Sequence, residues 1–190
     1  STFSPTNGKL YVEYQNSRTQ NAQLGVYSLN NYTHGDDTYT FPIGKSAAIT
    51  IESSANYSID WNEDATGGTL LQNSTQLNQA KYGMAVDIDN GNVYFSANGN
   101  WYSSVSGVFD KSNFSDATAV FSALPTTGDV PIAMMCRGSY DVGSGFGRMN
   151  FGNPPSDYSI SSSESDENGY GSFEYAPPSG YLALCTKNIA

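Results

Sequence analysis

The sequence predicts an all-β domain in which many short antiparallel strands close into a sandwich or barrel. Three observations carry this. β-branched and aromatic residues alternate with Gly, Asn and Ser turn residues, a pattern that fits a pleated, half-buried surface. Charged residues make up 14% of the chain, below the roughly 25% of an average soluble domain, so the long charged helix faces of a mixed fold are missing. The middle of the chain also reads as consecutive hairpins with one apolar face. At 190 residues the chain is a single domain, residues 1–190, long enough to bury one sizeable core.

The strands can be placed in order. Leu10-Tyr11-Val12-Glu13-Tyr14 alternates, with Leu10, Val12 and Tyr14 on one side. Leu24-Gly25-Val26-Tyr27 and Ala48-Ile49-Thr50-Ile51 follow, and then a polar stretch around Gly67-Gly68. The clearest unit runs from Tyr82 to Tyr102, and later runs are Val130 to Arg137, Gly147 to Phe151 and Tyr181 to Thr186. The one helix candidate, Ser115 to Phe121, spans two or three turns at most and reads equally as loop.

In the central unit Asn90-Gly91 is the strongest hairpin signal, because a type I′ turn needs φ > 0 at both central positions. Centring the turn there pairs Ile88 with Val93, Val86 with Phe95 and Met84 with Ala97, all apolar, and sets Asp87 opposite Tyr94. A one-residue slip would pair core with solvent. Asn98-Gly99 reads as a second tight turn, placing Phe95 opposite Tyr102 and Ser96 opposite Trp101. Trp101, Tyr94, Asp87 and Asp89 then share the face away from the apolar one.

Between about residues 155 and 180 the chain becomes a long polar excursion. Ser159 to Ser165 is Ser-rich, Glu164-Ser165-Asp166-Glu167 is acidic, and Asn168-Gly169 marks a turn. It reads as a solvated surface loop or as a contact loop carried on a rigid scaffold.

The formal charge of −10, from 18 acids against 8 bases, argues against nucleic acid, which needs a basic footprint. It argues equally against anionic membrane surfaces. No apolar run approaches the roughly 20 residues of a membrane span, so membrane insertion is not expected. The chain opens on Ser1 with neither a basic start nor an apolar core, which suggests a beginning inside a longer or processed polypeptide.

Catalytic and metal chemistry find little footing. Asp87 and Asp89, two apart on a strand, would point to one face about 6.6 Å apart. That spacing is compatible with glycosidase carboxylates, but side by side they would not flank a bond. Asp87-Ile88-Asp89-Asn90-Gly91 hints at a calcium loop, yet its glycine falls one position early and no glutamate closes it. His34, the sole histidine, lies in a turn-like polar loop, and Cys136 and Cys185 form no metal-ligand motif. No phosphate-binding glycine loop occurs. The reading is a non-enzyme with no catalytic residues, no metal and no cofactor. Ligand binding has one candidate surface, Trp101 and Tyr94 beside Asp87 and Asp89, with Tyr102 adjacent. Aromatic rings on the open face of a rigid sheet make a platform for sugar or protein. The alternative is that Trp101 packs beneath a loop or second sheet.

The same residues carry a resemblance. Gly8-Lys9-Leu10-Tyr11-Val12-Glu13-Tyr14 is similar to the opening strand of SPRY-type domains, and Leu24-Gly25-Val26 to the strand after it. Tyr82 to Phe95 followed by Asn98-Gly99 resembles their central hairpins, and Asn150-Phe151-Gly152 their late strand. The tail is narrower. Asn150 to Pro154, Asn168 to Tyr181 and Leu184 to Asn188 resemble the endings of SPRY-like proteins encoded by bacteriophages, while residues from Asn31 to Asn78 match poorly. The resemblance implies a concanavalin/SPRY-like antiparallel β-sandwich with long surface loops. It implies a virion location, as a tail-fibre, spike or other surface module that attaches to a host receptor or glycan. Its partners would be other virion proteins, in an oligomer within the particle. A capsid-associated or decoration protein is the alternative role, and a polysaccharide-degrading enzyme on the same fold is the second. Because such proteins fold in a reducing cytoplasm, Cys136 and Cys185 are expected as thiols more than as a disulfide.

Overall fold

The computed structural model describes residues 7–16, 22–28, 46–51, 57–63, 66–73, 80–124, 132–137 and 147–189. Among these are twelve strands. β1 is Lys9–Asn16, β2 Ala22–Ser28, β3 Ser46–Ile51, β4 Tyr57–Glu63 and β5 Thr66–Asn73. β6 is Lys81–Asp87, β7 Asn92–Ala97, β8 Asn100–Ser103 and β9 Val108–Lys111. β10 is Ile132–Arg137, β11 Gly147–Asn150 and β12 Leu182–Ala183, and a helical turn α1 at Thr186–Ile189 follows.

The strands form two sheets. The larger runs β11-β1-β6-β7-β8-β9, with β12 joining β1 in parallel, and the smaller runs β10-β2-β3-β4-β5. All other pairings are antiparallel. Period-two alternation decides what lies between the sheets. Leu10, Val12 and Tyr14 of β1, Tyr82, Met84 and Val86 of β6, and Val93, Phe95 and Ala97 of β7 meet Leu24, Val26, Ala47, Ile49 and Ile59 in one core. The fold is an all-β antiparallel sandwich, as expected.

Two local expectations are corrected. β4 and β5 lie where the sequence reads as a polar stretch, and Gly67 and Gly68 at its centre pair within the ladder with Asn62 and Trp61. Their alternation is hard to see because the register shifts between Ile59 and Asp60, a bulge that breaks the period. The last predicted strand is cut to Leu182–Ala183, and the chain then turns helical at Thr186–Ile189. Of the two readings of Ser115 to Phe121, helix or loop, the loop holds, entered through a single 3₁₀ turn at Phe114–Asp116. Beyond that turn the chain lies along β7, with Val120 N–H donating to the Val93 carbonyl and Val93 N–H to that of Phe121.

The central register also differs. Val86 pairs with Val93, Met84 with Phe95, Tyr82 with Ala97 and Asp87 with Asn92. The ladder is displaced by two residues from the type I′ expectation, which preserves the apolar face and changes every partner. The cause is the Asp87 carboxylate. It accepts the Asn90 backbone N–H at 3.1 Å and the Asn90 side-chain amide at 2.8 Å, which holds Ile88 to Gly91 as a four-residue turn with Gly91 at φ 71°. Asn98-Gly99 is the tight turn, with both residues at positive φ (49° and 79°). It sets Ser96 opposite Trp101 as expected.

Candidate functional site

The outer face of the larger sheet is covered. Tyr11, Ala85 and Trp101 on the sheet and Phe173, Tyr181 and Ala183 from the C-terminal segment form a second apolar cluster. The Tyr11 ring lies 5.2 Å from Phe173 and 6.3 Å from Trp101. This explains why β6 is buried along nearly its whole length, since a strand covered on both faces loses its polar alternation. The polar excursion is therefore a strap anchored on the sheet by Tyr158, Asp166 and Phe173, while Ser161 to Ser165 and Glu167 to Gly169 are exposed. Two-residue spacing hid this, because the residues that anchor it are single aromatics among many serines.

Two carboxylates hold the strap. Glu13, on β1 between Gly83 of β6 and Asn150 of β11, is 0% exposed. Its Oε1 accepts the Tyr175 N–H at 2.8 Å and the Tyr11 hydroxyl at 3.3 Å. Its Oε2 accepts the Glu174 N–H at 2.9 Å, the Tyr158 hydroxyl at 3.0 Å and the Asn150 amide at 3.4 Å. Gly83 makes room for this, since a Cβ there would lie 2.7 Å from the Tyr11 hydroxyl. Burial pushes the Glu13 carboxyl above its usual range, against the pull of these donors. Asp166, inside the strap, accepts N–H groups from Tyr170, Ala183 and Asn168 at 2.8, 2.9 and 3.0 Å and the Asn188 amide at 2.7 Å. Burial opposes its charge, but those donors hold its carboxyl below the usual range. A Lys81–Glu174 ion pair at 2.7 Å adds a third tie.

The four residues predicted for ligand binding are partly brought together. Trp101 is 6% exposed and sits under Phe114 of the 3₁₀ turn, with ring centroids 4.8 Å apart. The open platform is thus corrected to a covered one. Tyr94 is half-buried and meets the same Phe114 ring at 4.9 Å. Asp87 is buried and paired with Lys9 at 3.0 Å. Burial opposes its charge, but Asn90 and Lys9 keep its carboxyl below the usual range. Asp89 lies past the end of the strand, in the exposed turn, accepting the Gly8 N–H at 2.9 Å. The two aspartates therefore do not line one face of a strand. Tyr102 belongs to the inner core, edge-on to Phe109.

Two residues that belong beside these, Phe114 and Tyr181, escaped the sequence. Phe114 touches Tyr94, Trp101 and Tyr181, the last at 5.1 Å. Tyr181 also lies 5.7 Å from the Lys9 ammonium, and burial raises its hydroxyl well above its ordinary range. Phe114 sits one residue ahead of the segment read as a helix candidate, and nothing local marks its ring as a cover. The patch at the surface is therefore Tyr94, Phe114, Lys9 and Asp89, with the Asp87 carboxylate buried behind the Lys9 ammonium. Its chemistry is that of non-covalent contact: ring faces and edges, an ammonium and carboxylate acceptors.

Among the described residues no group of three His, Cys, Asp or Glu is placed to hold a metal ion. Cys185 is a free thiol against the second cluster, which removes a 136–185 disulfide, and Cys136 pairs through its backbone with Leu24. His34 lies outside the described residues. No described helix is long and apolar enough to cross a membrane.

No protein-family profile matches the chain. No curated protein matches it. Among solved structures, the crystal structure of the TRIM65 PSpry domain is similar at a TM-score of 0.42 and 16% identity, over 70% of this chain and 59% of that one. The match thus spans less than two thirds of the neighbour, and the assignment as a β-sandwich rests on the strand pairing itself.

Proposed function

We propose that this domain is a non-enzymatic surface module of a bacteriophage virion, a tail-fibre or spike part that attaches to a host glycan or receptor. The phage setting draws on the tail from Asn150 to Asn188, whose motifs resemble phage SPRY-like endings. The observation that carries attachment is the surface patch of Tyr94 and Phe114 rings beside Lys9 and Asp89. It sits on a sheet buttressed on both faces, and a rigid scaffold with amphipathic rings at its rim is suited to recognition. The non-enzymatic reading is supported by how the carboxylates are used: Glu13 and Asp166 are occupied by donors of the chain itself, and Asp87 by Lys9 and Asn90.

The burial of Trp101 favours a second reading, a capsid-associated or decoration protein with a structural role. An array of purified bacterial surface polysaccharides separates the two. Attachment predicts saturable binding without release of reducing ends. A decoration protein binds none of them, and reducing-end release would establish the enzyme reading instead.

A further inference from the structure

Phe114 is held unlike the other rings of the outer face. Tyr11, Trp101 and Tyr94 stand on strands, Tyr181 lies next to β12, and Phe173 is fixed by a two-bond backbone bridge to Glu164. Phe114 stands on a loop between two ties to the sheet, the Trp101–Lys111 pairing and the Thr118 N–H bond to the Tyr102 carbonyl at 2.9 Å. The backbone bonds inside that loop, Asp116 to Asn113 at 3.2 Å and Ala117 to Phe114 at 3.0 Å, close the turn on itself. Asn113 makes no side-chain capping bond, no residue of the turn is buried, and Ser112, Asn113, Ser115 and Asp116 are exposed. What seats the turn is the Phe114 ring against three others, at 4.8, 4.9 and 5.1 Å, with Ala117 packed against the same cluster just behind it.

We propose that Phe114 is a displaceable lid. In the free domain its ring occupies the seat, walled by Tyr94, Trp101 and Tyr181, that a pyranose ring of a glycan fills on binding. This rests on the attachment reading above. The walls offer aromatic surface to the C–H groups of a sugar, and the Lys9 ammonium and the exposed Asp89 carboxylate at the rim supply a donor and an acceptor for its hydroxyls. The net charge of −10 selects neutral or amino sugars over acidic ones. An intramolecular occupant lowers apparent affinity by the fraction of time that the seat is open, so removing the ring raises it.

The test titrates the whole domain with glucose, galactose, N-acetylglucosamine and glucosamine, following the Trp101 indole N–H by NMR, and compares wild type with Phe114→Ala. The lid predicts binding about tenfold tighter in the variant, the factor expected where the seat is open about a tenth of the time. If Phe114→Ala does not fold, Phe114→Leu is read instead, with a smaller gain. A folded variant that binds sugar equally or more weakly overturns the lid and leaves attachment standing. Binding of the wild type to the polysaccharide array with the Trp101 signal unmoved in every variant does the same. No binding to sugars or array by any form overturns both.

Discussion

The hydroxyl of Tyr158 donates to Oε2 of Glu13 at 3.0 Å, joining residues 145 apart in the chain. Glu13 stands on β1, next to the edge strand β11 of the larger sheet, and Tyr158 lies near the start of the strap. The contact therefore closes the outer layer on the sandwich. Its neighbours complete the closure, since the Glu174 and Tyr175 N–H groups reach the same carboxylate from the far end of the strap. A buried charge held only by neutral donors is costly unless each bond is made, so the strap and Glu13 depend on each other.

That dependence is testable by substitution. Glu13→Gln keeps the shape but replaces one acceptor oxygen with an NH₂ group facing N–H and O–H donors. It is expected to lower unfolding free energy by about 2–4 kcal/mol, the scale of unmade charge-assisted bonds. Denaturant titration measures it, and a change under about 0.5 kcal/mol would mean that the strap is held without Glu13.

Acid should loosen the strap through Asp166. Its folded-state carboxyl lies below the usual 3.8, so the unfolded chain binds the proton more readily. The stabilisation is present above the unfolded value and lost as pH falls through the lower folded one. Glu13 works in the opposite sense, because its raised carboxyl favours the fold at low pH and loses that share as pH rises through its folded value. Melting temperatures from pH 7 to pH 2.5 should fall less steeply in Asp166→Asn than in wild type. Equal slopes would remove Asp166 from the acid response.

The faces of β6 make a sharper contrast. Val86 is fully buried opposite Val93, and Val86→Asp places an unpaired carboxylate in the core, with an expected loss of about 4 kcal/mol or more. Asp87→Val removes the bonds to Asn90 and Lys9 and should lose about 1–2 kcal/mol. Thermal melts that rank the two the other way would reverse the assignment of faces.

Trp101 now reads as a packing residue. Buried against Tyr11 and Phe114, it should lower stability by about 3–5 kcal/mol as Trp101→Ala, as for other buried aromatics. A variant that melts with wild type would put the ring back on an open surface.

The inner core was legible in the sequence because period two survives wherever one face meets the core, as in Leu10, Val12 and Tyr14. The outer layer was not, because it is built without that period. Phe173, Tyr181 and Asp166 reach the sheet from irregular chain, and their partners lie far away in sequence. The register of the Asn90-Gly91 hairpin was misplaced by two residues because Asp87 caps the turn through its side chain, which a dipeptide preference does not reveal. Trp101 and Tyr94 were placed on the right face of the sheet. Their cover, Phe114, comes from a 3₁₀ turn whose ring contacts have no local signature.

Amide hydrogen exchange at Glu174 and Tyr175 tests the account most directly, because those N–H groups end on a buried carboxylate in a stretch without regular strand pairing. With Glu13 as the clasp, both amides exchange with protection close to that of β6, and Glu13→Gln lowers that protection at least tenfold, the equivalent of about 1.4 kcal/mol. Exchange at the rate of an exposed loop in the wild-type domain would contradict a strap closed over the sheet.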